Sequence, residues 1–227
     1  MSGYLKSYVA AAMEKDPAAT SKIMVLFTYP GVKALMWHRP ANWCYRHKMK
    51  FLARLISQHV RFWTGIEIHP GAIIGKGVFI DHGAGVVIGE TAEVGNNVTL
   101  YQGVTLGGTG KDAGKRHPTI EDNVVIAAGA KVLGPFTVGK GSKIGAGSVV
   151  LKPVPENCTV VGVPGRIVKQ DGKRVDSLNQ VELPDPVLEE LRRINARLTQ
   201  IENLSGINCS RYSIANEENT KSTKTTD

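Results

Sequence analysis

Asp81 and His82 stand side by side and carry side chains suited to acid–base chemistry. They follow Ile80, and at the corresponding place other segments of the same repeating pattern have Gly-Lys or Gly-Asn. Because imidazole titrates near neutral pH, His82 is able to take a proton from a hydroxyl that attacks a thioester and to return it to the departing thiolate. We interpret His82 as a candidate general base at a corner of the fold, with a surface turn histidine as the alternative.

A glycine-rich polar loop, residues 107–118, brings together four groups that attract anions. They are the side chains of Lys111, Lys115, Arg116 and His117. Loops that project from a rigid scaffold commonly carry function, so this loop is a candidate flap over an anionic ligand. It does not match a P-loop, which requires G-x-x-x-x-G-K-S/T leading into a helix. A flexible insertion without a binding role is the alternative.

The secondary structure that holds these residues is indicated by an aliphatic side chain that recurs every six residues. A period of six fits neither an amphipathic helix, whose stripe returns every 3.6 residues, nor a hairpin meander with its period of two. Short strands joined by tight corners, three to a coil, give instead a triangular parallel β-helix of about four to five coils. The series is Ile68, Ile74, Ile80 and Val86, then Ile88, Val94, Leu100 and Leu106 after a two-residue slip, and Ile120, Ile126, Val132, Val138, Ile144 and Val150 after the loop.

Glu67 precedes His82 by fifteen residues, which is nearly one coil of about eighteen. We expect the two side chains to meet across adjacent coils, where the carboxylate would fix the imidazole tautomer and stabilise its cation. Taken alone, Glu67 also fits an exposed charge.

Helices are predicted on both sides of the repeat. Apolar residues recur at intervals of three and four over residues 4–64, where prolines at positions 17, 30 and 40 interrupt them, and Asp16 is placed to cap a helix that begins at Pro17. His38, His47 and His59 are expected to be ordinary amphipathic positions.

The predicted fold is mainly β, with three regions. Residues 1–65 form an N-terminal helical region, and residues 66–168 form the β-helix with its loop at 107–118. Residues 169–227 form an extension with a short helix at about 185–204, indicated by a heptad-like pattern, and a disordered polar tail.

The net charge of +8 lies entirely in the first 66 residues, which fits a basic helical face and does not indicate nucleic-acid binding. Cys44, Cys158 and Cys209 are far apart and suggest neither a disulfide framework nor a zinc site. The sequence has no signal pattern and no apolar stretch long enough to cross a membrane, so we expect a cytoplasmic protein.

Three segments resemble the serine O-acetyltransferases, a family of hexapeptide-repeat acyltransferases. They are residues 81–92, 103–111 and 116–118, and the similarity extends from about Asp16 to Val168. The N-terminal region is short for the family. The resemblance implies that the β-helix is left-handed. It implies transfer of acetyl from acetyl-CoA to the hydroxyl of L-serine, giving O-acetyl-L-serine and CoA in the first step of cysteine biosynthesis, with inhibition by L-cysteine.

The resemblance also implies roles for individual residues. His82 matches the general base and Glu67 its carboxylate partner, and His117 is counted in the same catalytic set because it positions the hydroxyl. The residues that match the serine site are Asp16, Asp81, Arg116 and His117. The residues that match the coenzyme A site are Gly108, Ala128, Lys143 and Ala146. Acetyl-CoA is a co-substrate, and no metal or prosthetic group is implied.

The family further implies a homotrimer with active sites between subunits. Its members insert a terminal isoleucine into O-acetylserine sulfhydrylase, and because this sequence ends in Thr-Thr-Asp we do not expect that complex. Three other functions are compatible with the repeat. They are acetylation of a sugar or antibiotic hydroxyl, a γ-type carbonic anhydrase with zinc on His69, His82 and His117, and a scaffold without catalytic activity.

Overall fold

Four helices precede the repeat in the computed structural model, which describes residues 2–110, 114–170 and 186–205. They are α1 (Ser2–Lys15), α2 (Lys22–Thr28), α3 (Pro30–Arg46) and α4 (Lys50–Thr64). The helix expected at Pro17 is absent from this stretch, because Asp16 closes a turn after α1 instead. The N-cap of α2 is Ser21, whose hydroxyl accepts a hydrogen bond from the backbone N–H of Met24.

Proline affects the helices differently at different positions. Pro30 is the first residue of α3, where its missing N–H costs nothing. Pro40 was expected to interrupt the helical region, and this expectation is wrong, because α3 continues through it to Arg46. Contacts with the β-helix help to hold α3 together at this point, since Arg39 and Asn42 both donate side-chain hydrogen bonds to carbonyls of the first coil.

In the described residues, fifteen short strands follow α4. They are β1 (Glu67–Ile68), β2 (Ile73–Ile74), β3 (Phe79–Ile80), β4 (Val87–Ile88), β5 (Glu93–Val94), β6 (Thr99–Leu100), β7 (Thr105–Gly107), β8 (Thr119–Ile120), β9 (Val125–Ile126), β10 (Lys131–Leu133), β11 (Thr137–Val138), β12 (Lys143–Ile144), β13 (Val149–Val150), β14 (Cys158–Val161) and β15 (Arg166–Gln170). All pairings are parallel except that of β14 with β15.

Three sheets form the faces of a triangular prism. Face A contains β1, β4, β7, β10 and β13, face B contains β2, β5, β8 and β11, and face C contains β3, β6, β9, β12, β14 and β15. The chain visits the faces in the order A, B, C, so each coil has an A–B, a B–C and a C–A corner. The parallel β-helix predicted from the six-residue repeat is confirmed.

The aliphatic residues of the repeat form one continuous core along the axis of the prism. Every member of the predicted series is buried in it. Along face A, Ile68 pairs with Ile88, Ile88 with Leu106, Leu106 with Val132, and Val132 with Val150. The second and fourth of these steps span 18 residues. The first spans 20 because the Asp81–His82 corner is enlarged, and the third spans 26 because it includes the loop.

Helix α3 lies along the first coil and brings its two ends to two different corners. At its N-terminus, Gly31 contacts the backbone of Ile80 so closely that an added Cβ would collide with the Ile80 carbonyl oxygen. At the other end, Tyr45 donates a hydrogen bond to Glu90 at the A–B corner. Between them, His38 is buried and its Nε2 lies 3.1 Å from the carbonyl oxygen of Ala72. The helix therefore positions both ends of face A.

Helix α4 confirms the helical periodicity but not a buried apolar face. Its buried residues are Ala53 and Ser57, whereas Leu55 and Phe62 are exposed. Helix α5 (Pro186–Ser205) is the short C-terminal helix of the predicted fold class. Its tail and Cys209 lie outside the described residues. In the part of the chain that the structure describes, no helix has the length and apolar character needed to cross a membrane.

Candidate active site

His82 lies at the enlarged C–A corner of the first coil. Its backbone has φ +56°, a left-handed conformation that corners of other coils assign to glycine or asparagine. This conformation turns the side chain outward, and 74% of its surface is exposed. Its Nε2 lies 3.9 Å from Oδ1 of Asp81. An exposed imidazole in a strained corner is available to take a proton from a bound substrate.

A cluster of carboxyl groups lies beside His82. Tyr29, at the junction of α2 and α3, donates a 2.6 Å hydrogen bond to Oδ2 of Asp16, and the backbone N–H of Ala18 donates to Oδ1 at 2.8 Å. Burial raises the pKa of the Asp81 carboxyl above its ordinary value. His82 opposes this shift, and the nearby Asp16 carboxylate adds to it. The structure thus brings together Asp16, Asp81 and His82 at this corner.

A second polar cluster occupies the A–B corner. Arg116 donates from NH2 to Oε2 of Glu90 at 2.6 Å, and Tyr45 donates its phenol proton to Oε1 at 2.7 Å. The hydrogen bond from Tyr45 holds the pKa of Glu90 below its ordinary value, with help from His69 and Arg116. The guanidinium carries five N–H donors, so Arg116 keeps capacity to bind a carboxylate while it is anchored by Glu90.

His117 lies in the same cluster and is buried. Its Nδ1 is 3.2 Å from the backbone N of Thr91 and 2.9 Å from the Thr91 hydroxyl. The same hydroxyl accepts hydrogen bonds from the backbone N–H groups of Arg116 and His117 at 3.0 and 3.1 Å. Thr91 therefore fixes the place where the loop rejoins the β-helix. Burial lowers the pKa of His117, and the positive charge of Arg116 lowers it further.

Within one chain, the three histidines of the carbonic anhydrase alternative do not come together. His69 and His117 are electrostatic neighbours at the A–B corner, whereas His82 lies at the C–A corner. Within residues 2–110, 114–170 and 186–205, no three His, Cys, Asp or Glu side chains are grouped so as to hold a metal ion. The carbonic anhydrase alternative required His69, His82 and His117 to meet.

Glu67 has a different partner from the one predicted. Its Oε2 lies 3.4 Å from Nε of Arg61 in α4. Among the described residues, no hydrogen bond or ion pair joins Glu67 to His82, although their segments are linked by the bond from the Gly85 N–H to the Gly65 carbonyl. Within one chain, the structure does not bring this predicted pair together.

The residues predicted to hold coenzyme A lie on two corners and one face. Ala128 and Ala146 occupy the C–A corners of the third and fourth coils, where the Gly147 N–H donates to the Ala128 carbonyl at 2.8 Å. Lys143 lies in β12 on face C. Gly108 lies at the A–B corner, where an added Cβ would come within 3.0 Å of the Arg116 carbonyl oxygen. Lys111 of the loop lies outside the described residues.

Both predicted binding sets are divided between the same two corners. Asp16, Asp81, Ala128 and Ala146 are at or near the C–A corner, and Arg116, His117 and Gly108 are at the A–B corner. Face A separates these corners along a single chain. Within one chain, the predicted binding residues therefore form two separate groups, which we call half-sites.

Four residues at these corners were assigned no role from the sequence: Tyr29, Tyr45, Glu90 and Thr91. Glu90 and Thr91 had a signal, because they depart from the bland composition of the repeat directly after Gly89, as Asp81 and His82 do after Ile80. The two tyrosines had none, since only the packing of α3 along the first coil brings them to the corners.

Comparisons with known proteins agree with this geometry. Residues 117–152 match the family model described as bacterial transferase hexapeptide (six repeats). The chain is 60% identical to a serine acetyltransferase of Bacillus licheniformis over 198 residues, which cover 87% of this chain and 92% of that protein.

Two solved structures of serine acetyltransferases are also similar. One, from Neisseria gonorrhoeae in complex with serine, has a TM-score of 0.72 and 41% identity and covers 74% of this chain and 69% of its own. The other, from Brucella abortus in complex with coenzyme A, has a TM-score of 0.73 and 45% identity over 76% and 69% of the two chains.

The parallel β-helix of hexapeptide repeats, together with the family model and the solved structures that it matches, identifies a hexapeptide-repeat acyltransferase with a left-handed β-helix. The identity of 60% over 92% of the Bacillus relative shows which family within this class the chain belongs to. The chain belongs to the serine acetyltransferase family.

Proposed function

We propose that this protein transfers the acetyl group of acetyl-CoA to the hydroxyl of L-serine, producing O-acetyl-L-serine and CoA. The observation that carries the proposal is the corner at His82, where an exposed imidazole stands beside the carboxyl groups of Asp81 and Asp16. This reaction would be the first step of cysteine biosynthesis. Membership in the serine acetyltransferase family supports the choice of substrate.

His82 is the proposed general base. Its imidazole takes the proton of the serine hydroxyl as the oxygen attacks the thioester carbon, and a tetrahedral oxyanion forms. The intermediate collapses, the C–S bond breaks, and the imidazolium returns its proton to the CoA thiolate. Glu67 is the proposed carboxylate that stabilises the imidazolium, by its charge rather than by a hydrogen bond seen in this chain.

Serine has one negative and one positive group to be held. The proposed ligand for its carboxylate is Arg116 together with His117, because Glu90 anchors the guanidinium and leaves other donors available. The proposed ligands for its ammonium are the carboxylates of Asp16 and Asp81. A sugar hydroxyl offers no such pair of charges, so this combination favours an amino acid acceptor.

The division of the site between two corners supports a homotrimer. If each active site forms between subunits, the C–A corner of one chain meets the A–B corner of its neighbour, and the two half-sites are completed. Acetyl-CoA then lies along the same junction, against Gly108 of one side and Ala128, Lys143 and Ala146 of the other. L-Cysteine differs from serine by one atom, so we propose that it competes at this site. We also propose a cytoplasmic location, in keeping with the buried free thiol of Cys44.

The test is release of thiol from acetyl-CoA in the presence of a panel of acceptors: L-serine, L-homoserine, sugars and chloramphenicol, each with and without L-cysteine. We expect release with L-serine far above that with the other acceptors, and inhibition by L-cysteine that is overcome by more L-serine. Preference for a sugar or for chloramphenicol would overturn the proposal.

A further inference from the structure

The contacts of Thr91 determine where the proton of the His117 imidazole resides. The backbone N–H of Thr91 donates to Nδ1 of His117 at 3.2 Å. A ring nitrogen that accepts a hydrogen bond carries no proton, so in the neutral ring the proton lies on Nε2.

The Thr91 hydroxyl reinforces the same assignment. Its oxygen accepts hydrogen bonds from the backbone N–H groups of Arg116 and His117. Both backbone groups are obligate donors, and therefore the hydroxyl proton is free to donate to Nδ1, which lies 2.9 Å away. The Thr91 hydroxyl oxygen and Nδ1 of His117 thus take part in four hydrogen bonds whose directions agree. Each of these bonds would oppose a proton on Nδ1.

We infer that Thr91 is a positioning residue that locks His117 in its Nε2–H tautomer, so that His117 serves the substrate as a hydrogen-bond donor and not as a base. This inference rests on the proposed function only for the identity of the acceptor, which is an oxygen of the bound amino acid. Among the described residues, none accepts a hydrogen bond from Nε2 of His117, and we assign this N–H to the substrate.

The surroundings of the ring keep it neutral and in place. The ring lies directly over Gly89, where an added Cβ would overlap Nε2 and Cδ2. Burial disfavours the charged form, as do the charges of Arg116 and Lys115, whereas Glu90 acts in the opposite direction. His69 is a further electrostatic neighbour of both Glu90 and His117.

The lock separates the tasks of the two site histidines. His82 is exposed and has no hydrogen bond from a described residue that would fix either ring nitrogen, so it is able to exchange a proton. His117 is buried and fixed, so it holds an oxygen at a constant position. A neutral Nε2–H donor next to Arg116 binds a carboxylate without adding a second full charge to the site.

The experiment is the ¹H–¹⁵N long-range correlation spectrum of the full-length protein with labelled histidine, in which His117→Gln identifies the His117 signals by their loss. We expect a neutral ring with the proton on Nε2 at pH 7, and a shift of the Nε2–H signal when L-serine is added. A proton on Nδ1, or a charged ring at pH 7, would overturn the inference. This readout needs no activity, so it stands apart from failure of the proposed acetyl transfer.

Kinetics of Thr91 variants provide the second arm. Thr91→Ser keeps the hydroxyl and should retain wild-type values. Thr91→Val removes it while the backbone N–H remains, and should raise the KM for L-serine about tenfold with kcat changed less and the KM for acetyl-CoA unchanged. A Thr91→Val enzyme with wild-type KM for L-serine contradicts the inference. If this variant fails to fold, the spectrum of the wild-type protein still tests the tautomer of His117.

Discussion

The phenol of Tyr29 donates a 2.6 Å hydrogen bond to the carboxylate of Asp16, and this bond joins the start of α3 to the turn after α1. It raises the pKa of Tyr29 to about 12, so the phenol keeps its proton at every pH at which the protein is expected to work. The second carboxylate oxygen is held by the N–H of Ala18. Asp16 thus reaches the corner beside Asp81 and His82 with a fixed orientation.

Removal of this hydrogen bond should weaken serine binding. We expect Tyr29→Phe to lower kcat/KM for L-serine about tenfold or more, mainly through KM, because a hydrogen bond to a charged group contributes about 1.5 kcal/mol or more. The KM for acetyl-CoA should not change. Tyr4→Phe is the matched control, since Tyr4 lies under the Arg39 guanidinium away from both corners. Equal kinetics of the two variants would show that Tyr29 does not orient Asp16 for the substrate.

Subunits with complementary defects should restore each other if the active site lies between chains. His82→Ala disables the half-site at the C–A corner, and Arg116→Ala disables the half-site at the A–B corner. In a randomly mixed trimer, about one junction in four receives two intact halves, so co-expressed variants should reach about a quarter of wild-type activity. The measurement is the specific activity of the co-purified mixture against each variant alone. Activity no higher than that of the single variants would place the whole site in one chain.

The pairing of Glu67 with Arg61 leads to a paired test. If Glu67 stabilises the imidazolium of His82, then Glu67→Gln should reduce kcat about tenfold, whereas Arg61→Gln should leave kcat near the wild-type value. Both variants break the same ion pair, so each is the other's control for structural effects. Equal kcat values for the two variants would mean that Glu67 only forms a surface ion pair with Arg61 and does not stabilise the His82 imidazolium.

His38 should make the protein sensitive to acid. Burial lowers its pKa to about 4, against about 6.5 in the unfolded chain, so below pH 6.5 the unfolded state binds more protons than the folded state. The free energy of unfolding should therefore fall as the pH drops from about 6.5 to about 4, with a loss of about 2 kcal/mol from this residue between pH 7 and pH 5.

Denaturant unfolding at pH 7 and pH 5 measures this effect. The comparison protein is His38→Gln, which keeps a side-chain N–H for the Ala72 carbonyl but does not titrate. The variant should lose about 2 kcal/mol less than the wild type over this interval. An identical loss in both proteins would mean that His38 is not held in its neutral form.

The aliphatic series was readable because a stacked coil imposes the same inward position on every sixth residue. Ile68 and Val150 lie at opposite ends of the core, yet both were placed by the same rule. The enlarged corner at His82 appeared in the sequence as the two-residue slip, and the loop appeared as a pause. Departures from a strict repeat were therefore the best guide to the site.

What the sequence could not provide was the identity of neighbours across elements. The partner of Asp16 is Tyr29, thirteen residues away, and the partner of Glu90 is Tyr45, in a helix that precedes the repeat. No period links such residues, because their contact depends on the path of α3 along the first coil. The large apolar residues of α4 show the same limit: spacing predicted a helix, while exposure of Phe62 depends on what packs against it.

The central claim is that His82 removes the proton from the serine hydroxyl. The most direct measurement is the rate at which purified His82→Ala and wild-type protein form O-acetyl-L-serine from acetyl-CoA and L-serine, with the product identified by mass. His82→Ala should reduce kcat roughly 100- to 10,000-fold, the usual contribution of general acid–base catalysis, while it still binds acetyl-CoA. A variant that forms O-acetyl-L-serine at close to the wild-type rate would contradict the claim.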